Sequence, residues 1–519
     1  MSAPRNVRDA VVIGAGPTGL TLAIALRRYG MDTIVVDKGP STKREPRASV
    51  IWQRALEALR DLGCADLVMS QGLPLNRGEF HVRGRRAGVQ QVQLPDTAYP
   101  GPLSIEQDVV ERLLRDRLRQ LGPDVQWSTE AVAVRLDGGS AEVDLRGADG
   151  NTRTVDCRWV IGCEGSHSIV RKSLGIPFEG EQRHNLQCMQ LNAEPDWSHP
   201  YDPGATRIFI NHGVTLITDP VPGRGTRFFA FCPDPAPHSQ EPPTPREMES
   251  LVARATGEPG VRLVPTDPYW ANRSRFHDRL AATLRQGHAL LAGDSGHLWA
   301  PIGGHGLNTG LLGAHNLGWK LAAVHHGWAT DALLDTYNTE QRHTAQEVMR
   351  NMRRNILEIP PNLPTLTAIQ LLLPQLLRSE RFARQGALIL SDFARNHRKS
   401  ALSTGRAGPG PLRPGDRLPD LRVTSETGSG RLHDLLSYQR WSLLVTGDGS
   451  GTSELRKLTD RYVMPVALFT IRTEPPGHRT RPEGTLLLVR PDGHIGLSAR
   501  ATDDRALTTY LDRWFVRKT

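Results

Sequence analysis

Apolar residues fall into short unbroken runs near the start of the chain and into alternating or helical spacings later. "DAVVIGAGPTGLTLAIALRRYGMDTIVVDK" (9–38) predicts a strand over 9–13, a tight turn, a helix over 18–29 and a second strand, "TIVV", ending at Asp37. Uninterrupted Val/Ile strands of this kind belong to a parallel sheet covered on both faces. Residues 50–70 and 106–120 carry helical spacing, and Glu106, Asp108 and Glu111 precede the arginines of the second, matching the helix dipole. Alternating text over 125–163, and again over 186–280, predicts strands, the latter broken by a loop, "PDPAPHSQEPPTPR" (233–246). Residues 331–400 read as helical and "STGRAGPGPLRPGDRLPD" (403–420) as a linker. The remainder reads as a separate α/β unit closing on the helix "DDRALTTYLDRWF".

Composition narrows this picture. A chain of 519 residues, 38% hydrophobic and 23% charged, is a multidomain globular protein. Its 64 basic and 55 acidic residues leave +9, but the arginines are scattered, which disfavours nucleic acid and suits an anionic small ligand. Five cysteines without CxxC spacing argue against a disulfide framework or zinc site and fit a reducing cytoplasm. His297, His305, His315, His325 and His326 have no acidic or Cys residues at ligand spacing, so no metal is expected. "IPPNLPTLTAIQLLLPQLL" (359–377) is broken by prolines and predicts a packed helix, not a membrane span.

The first chemistry-bearing stretch is "GAGPTG" (14–19). Gly14, Gly16 and Gly19 follow a strand and open a helix, with Pro17 and Thr18 between them and Asp37 and Lys38 at the end of the next strand. Small residues let backbone approach a pyrophosphate, the helix N-terminus offers N–H groups, and Asp37 can accept from ribose hydroxyls. This loop alone does not distinguish FAD from NAD.

Other segments do. "EPRASVIWQRALEALRDLG" (45–63), "WVIGCEGSHSIVRKSLGIPFEG" (159–180), "GDSGHLWAPIGGHGLNTG" (293–310) and "NLGWKLAAVHHGWATDALLDTYNTEQR" (316–342) follow one another along the chain. With them the chain resembles the group A FAD-dependent aromatic hydroxylases, relatives of para-hydroxybenzoate hydroxylase, in the polyketide and phenol hydroxylase branch. The resemblance implies an α/β fold: a Rossmann-type FAD-binding domain (1–185 and, with a helical connector, 281–400), an inserted β-sheet substrate domain (186–280) and a thioredoxin-like domain (401–519). That last domain has no cysteine, so thiol chemistry is excluded and packing or dimerisation is its expected role.

The resemblance also assigns residues. Asp294 binds the ribityl chain, while Pro301, Gly303, Gly304, Gly306, Leu307 and Asn308 place backbone and a helix N-terminus at the flavin, with His305 projecting toward it. Arg47 and Gln107 lie near the cofactor, and Glu164, Gly165 and Arg171 touch FAD and the nicotinamide. Glu164 stands where the family has Asp, and Gly313 where it has an acidic residue. The implied reaction takes NAD(P)H and O2 through a flavin C4a-hydroperoxide to a hydroxylated aromatic substrate, with no essential catalytic base. Baeyer–Villiger or epoxidising oxidation of a polyketide is the alternative. A flavin halogenase is disfavoured because no "WxWxIP" segment is present, and a non-catalytic FAD-binding protein is the remaining class.

Overall fold

Val11 and Val12 sit on a central strand with no exposure on either face, which is why their stretch is apolar without alternation. The computed structural model describes the chain apart from residues 1–6, 43–44, 224, 237–238, 240, 301, 353–360, 406–411, 427, 448, 450 and 474–483, and gives backbone alone for 183–185, 302 and 473. Pro301 and part of the linker, 406–411, therefore lie outside the described residues.

Strand Arg8–Ile13 pairs in parallel with Thr33–Val36 and with the end of Thr152–Gly162, which pairs in parallel with Ala289–Leu291. The glycine-rich loops that follow Arg8–Ile13 and Ala289–Leu291 thus leave the same edge of one sheet. Helix Pro17–Arg28 packs against Gln107–Gln120 and His305–His325.

A nine-stranded second sheet is built around Phe178–Asp196. It reaches beyond 186–280, because Arg77–Val82 pairs in parallel with Ala205–Asn211 and brings Arg85–Gln91 with it. A pairing between segments so distant leaves no local trace in the sequence. On one face Met189, Leu191, Phe209 and Phe228 pack with residues of helix Pro245–Thr256. The opposite face turns toward the first unit: Asn192 and Arg227 both donate to Glu106 at 2.7 Å, and Ser49 donates to Asp219 at 3.1 Å.

The C-terminal unit is a seven-stranded mixed sheet, with Trp441–Thr446 parallel to Val466–Thr473 and antiparallel to Thr485–Val489. Buried charges lock it to the rest. Arg490 donates to Glu340 at 2.8 and 3.0 Å and to Asp492 at 2.6 Å. Lys320 donates to Glu340 at 2.7 Å, and Asn316 and Trp319 donate to Asp492 at 2.8 and 3.1 Å. "NLGWK" therefore reads as a docking motif: its polar side chains hold the C-terminal unit against the cofactor-binding sheet. Among the described residues no helix is long and apolar enough to cross a membrane.

Candidate active site

The three glycines of the first loop do different work. A Cβ on Gly14 would lie 2.5 Å from the Cys163 carbonyl oxygen, and one on Gly19 would run into the Gly14 carbonyl. Gly16 has nothing within 4 Å. Two of the glycines therefore permit close packing, while the third presents bare backbone at the start of a helix whose first residue is Pro17. Asp37 accepts from the N–H groups of Ala15 and Gly39, each at 2.8 Å. It shapes the turn first and keeps a second lone pair on each oxygen for a ligand. Lys38 is exposed beside it.

The second loop meets the first through Thr18. A Cβ on Gly293 would lie 2.6 Å from the Thr18 hydroxyl, and one on Gly310 would collide with the same atom. The side chain of Asp294 is open to solvent, yet protein rings it closely. Desolvation pushes its carboxyl up to about 6, with Arg47 opposing. Such a half-enclosed carboxylate, beside bare backbone at Gly16 and at Gly306 (also with nothing within 4 Å), is the donor and acceptor set an extended dinucleotide needs. FAD fits these residues.

Glu164 and Arg171 brace the loops. Glu164 accepts from the Ser168 hydroxyl at 2.8 Å and the Val170 N–H at 3.0 Å, and through its other oxygen from Ser295 at 3.1 Å. The extra methylene relative to Asp lets one carboxylate span both segments. Gly165 N–H donates to Ser295 at 3.0 Å. Arg171 donates to the carbonyls of Ser295 and Ser166 at 2.9 and 2.7 Å and lies 4.0 Å over the Phe178 ring. Their side chains are engaged by protein and position the loops.

At the far end, Gly303 and Gly304 follow one another with φ of 73° and 66°, a left-handed pair that turns the chain into helix His305–His325. Asn308 fixes this turn: its oxygen accepts from Trp52 N–H at 2.8 Å and its amide donates to Val50 and Gly304 carbonyls at 3.0 and 2.6 Å. Trp52 also donates through its indole to Gly303 at 2.7 Å. The helix N-terminus, with half-buried Leu307, carries free N–H donors and a positive dipole end.

His305, expected at the flavin, lies against Trp52 and Asp392. It stacks on Trp52 with ring centres 6.3 Å apart, and its Nδ1 lies 3.2 Å from buried Asp392. Arg47 is largely exposed and paired with Glu45 at 2.7 Å, while Gln107 donates to Glu111 at 2.9 Å and, through its backbone, to Ala48 at 3.0 Å.

Comparison with known proteins settles the family. The FAD binding domain family matches residues 8–352, and the aromatic-ring hydroxylase C-terminal family matches 412–517. This chain belongs to the FAD-dependent aromatic monooxygenases. The 12-dehydrotetracycline 5-monooxygenase/anhydrotetracycline 6-monooxygenase of Streptomyces rimosus subsp. rimosus is 31% identical over 519 residues, 98% of each chain. Rifampicin monooxygenase of Rhodococcus hoagii is 30% identical over 515 residues, again 98% of each. Among solved structures, the OxyS anhydrotetracycline hydroxylase from Streptomyces rimosus superposes with a TM-score of 0.77 at 30% identity, covering 98% of this chain and 99% of that one.

In this monooxygenase several site residues had no signal in the motif text. Ser295 and Trp52 lie inside recognised segments, but their bonds across the fold are not encoded by spacing. Asp392 sits in "LILSDFARN", where an acid after an apolar helix is the one available hint. Among the described residues there is no group of three or more His, Cys, Asp or Glu able to hold a metal.

Proposed function

We propose that this monooxygenase uses NAD(P)H and O2 to hydroxylate an aromatic, polyketide-type substrate held between the 299–305 loop and the inward face of the nine-stranded sheet. The observation that carries the reading is the junction at Thr18: two loops far apart in sequence meet to form one elongated cradle, bare of side chains at Gly16 and Gly306. FAD bound there would supply the redox chemistry, taking two electrons from NAD(P)H for the reduction of O2, of which one atom enters the ring and the other leaves as water.

The protein's part is binding and positioning. Gly16 and the N-terminus of Pro17–Arg28 hold the pyrophosphate, Asp37 the adenosine ribose and Asp294 the ribityl hydroxyls. The N-terminus of His305–His325 sets positive potential where reduced flavin carries negative charge. Trp52 and Asn308 keep that turn rigid, and Ala300, packed with Phe276 and Met352, helps exclude water. The relatives' tetracycline and rifampicin substrates support a polycyclic natural product. Five unpaired buried cysteines suit a reducing cytoplasm.

The purified protein should be yellow, oxidise NAD(P)H faster with a polycyclic phenol present, and place one atom from oxygen-18 gas in the product. Colourless protein that takes up no added FAD would overturn the reading.

A further inference from the structure

Of thirteen large apolar side chains left exposed among the described residues, six lie on two consecutive helices, Leu363–Arg378 and Glu380–Leu390. They are Leu363, Leu371, Leu372, Leu376, Phe382 and Ile389, and Leu371 is 65% exposed. The apolar segment that reads from sequence as a packed helix thus packs through one side only. On that side Leu366, Ile369 and Leu373 meet Val82, Ile208 and Ile210 of the second sheet. At about 100° per residue, Leu371 and Leu372 point away from this contact, as Phe382 and Ile389 point away from buried Ala387. A helix that is apolar on both sides belongs in an interior or against a second apolar phase.

The charge around this face has one sign. The charged residues of 361–390 are Arg378, Glu380, Arg381 and Arg384, all exposed. Arg83, also exposed, donates to Gln370 and Thr367, each at 3.0 Å, and so stands beside the first helix. Exposed Arg85 is paired across its hairpin with Val82, which packs under the same helix, so both leave the sheet on one face. Arginines on the border therefore outnumber the one glutamate.

That charge selects the occupant. A second copy seated about a two-fold axis would set these arginines against their own equivalents. The core of a protein interface draws its energy from Tyr and Trp, with Leu under-represented, whereas leucine dominates here. Leucine, isoleucine and phenylalanine projecting from surface helices, with long cationic side chains beside them, suit a phase that is apolar within and anionic at its boundary.

We infer that the helix pair 363–390 docks this enzyme on an anionic lipid surface, its leucines entering the headgroup boundary and its arginines meeting lipid phosphates. The pair lies on the bilayer, since no described helix is long and apolar enough to cross one. Ile217 packs both with the cluster under these helices and with the cluster around Ala300, so the docked pair backs on the proposed substrate wall. The docking itself does not depend on the reaction proposed above.

The test mixes FAD-loaded, full-length enzyme with phosphatidylcholine vesicles, alone or with about 30% phosphatidylglycerol, and measures binding by flotation. The anionic vesicles should bind about 10-fold tighter than the neutral ones, and about 10-fold less tightly once salt is raised from about 0.05 to about 0.5 M. Leu371→Gln with Leu372→Gln should lose binding about 10-fold without changing charge. Neutralising Arg378, Arg381 and Arg384 together to Gln should remove the preference for anionic lipid. Flavin absorbance and melting temperature should stay at wild-type values in both variants, because the altered side chains are exposed. Enzyme that floats with neither vesicle or equally with both, or a leucine variant that binds as wild type does, would overturn the inference. So would a lipid-free dimer in sedimentation velocity that the leucine variant dissociates, since it would assign the face to a second copy. The arginine variant decides alone if the leucine variant fails to fold.

Discussion

The hydroxyl of Thr18 occupies the space that a side chain on Gly310 would need. One atom of the first glycine loop thus fixes how closely helix His305–His325 can approach, and with it the distance between the two ends of the cradle. Gly310→Ala should cost about 1–3 kcal/mol of stability, as overpacking of a tight contact does, and should weaken FAD binding. Adding Thr18→Ala should restore much of both, because it removes the clashing oxygen. Thermal denaturation and FAD titration of the four proteins check this; a double variant no better than Gly310→Ala would show that the clash is not the cause.

Gly16 and Gly19 separate binding from folding. Gly16→Val adds bulk where nothing lies within 4 Å, so the apoprotein should melt normally while FAD affinity falls at least 10-fold. Gly19→Ala drives a methyl into the Gly14 carbonyl and should lower the melting temperature of the apoprotein itself. Equal effects of both changes on apoprotein stability would refute the division.

Much of this was legible from residues alone. The strand–loop–helix at 9–38 announces itself because a doubly covered parallel strand must be uniformly apolar and a phosphate loop must be small. The ordered motifs then gave the cofactor. What stayed hidden follows from long-range contact. The recruitment of Arg77–Val82 to the second sheet, the turning of His305 onto Trp52 and Asp392, and the use of Glu164 as a brace are pairings between distant segments. Neither period nor local composition reports such pairings.

The docking of the C-terminal unit makes an acid-stability prediction. Burial acts to raise the carboxyl pKa values of Glu340 and Asp492, but Arg490, together with His397 and Lys320 beside Glu340 and His494 beside Asp492, outweighs it and holds both well below the usual carboxylate range. A depressed folded-state pKa contributes stability that is present above the unfolded value, near 4, and is lost as pH falls below it. Arg490→Met removes the guanidinium that two buried carboxylates share, leaving Lys320 beside Glu340 and Asn316 and Trp319 beside Asp492, and should cost about 3–5 kcal/mol at neutral pH. Calorimetry should show that the deficit of the variant shrinks as pH drops from about 5 toward 3; a deficit independent of pH would contradict the electrostatic account.

Thiol chemistry offers a simple check on packing. All five cysteines are buried and unpaired. Burial pushes Cys64 and Cys157 up to about 12 and Cys232 to about 11, and holds Cys163 and Cys188 well above the ordinary thiol value. Because the thiolate is the reactive form, native protein at about pH 8 should resist alkylation, whereas denatured protein should react at every thiol. Rapid native labelling of Cys163, which lies against Gly14 and Gly19, would mean that the first loop is looser than its packing implies.

Asp294, proposed to hold the ribityl chain, should tie cofactor affinity to pH. Its folded-state carboxyl is raised to about 6, from an ordinary value near 4, by desolvation in the cradle. For a carboxyl whose pKa is raised on folding, the apoprotein's advantage is present below about 4 and disappears as pH rises through about 6. Relative to wild type, apoprotein carrying Asp294→Asn should therefore gain stability across that window, modestly, since the group remains open to water. FAD reverses the preference: ribityl hydroxyls donate best to an ionised acceptor. Wild-type FAD affinity should then fall as pH drops through about 6, Asp294→Asn should show no such step, and Asp294→Ala should bind FAD poorly throughout. Reconstitution of apoprotein followed by flavin fluorescence measures all three, and parallel wild-type and Asn profiles would remove Asp294 from the cofactor's contacts.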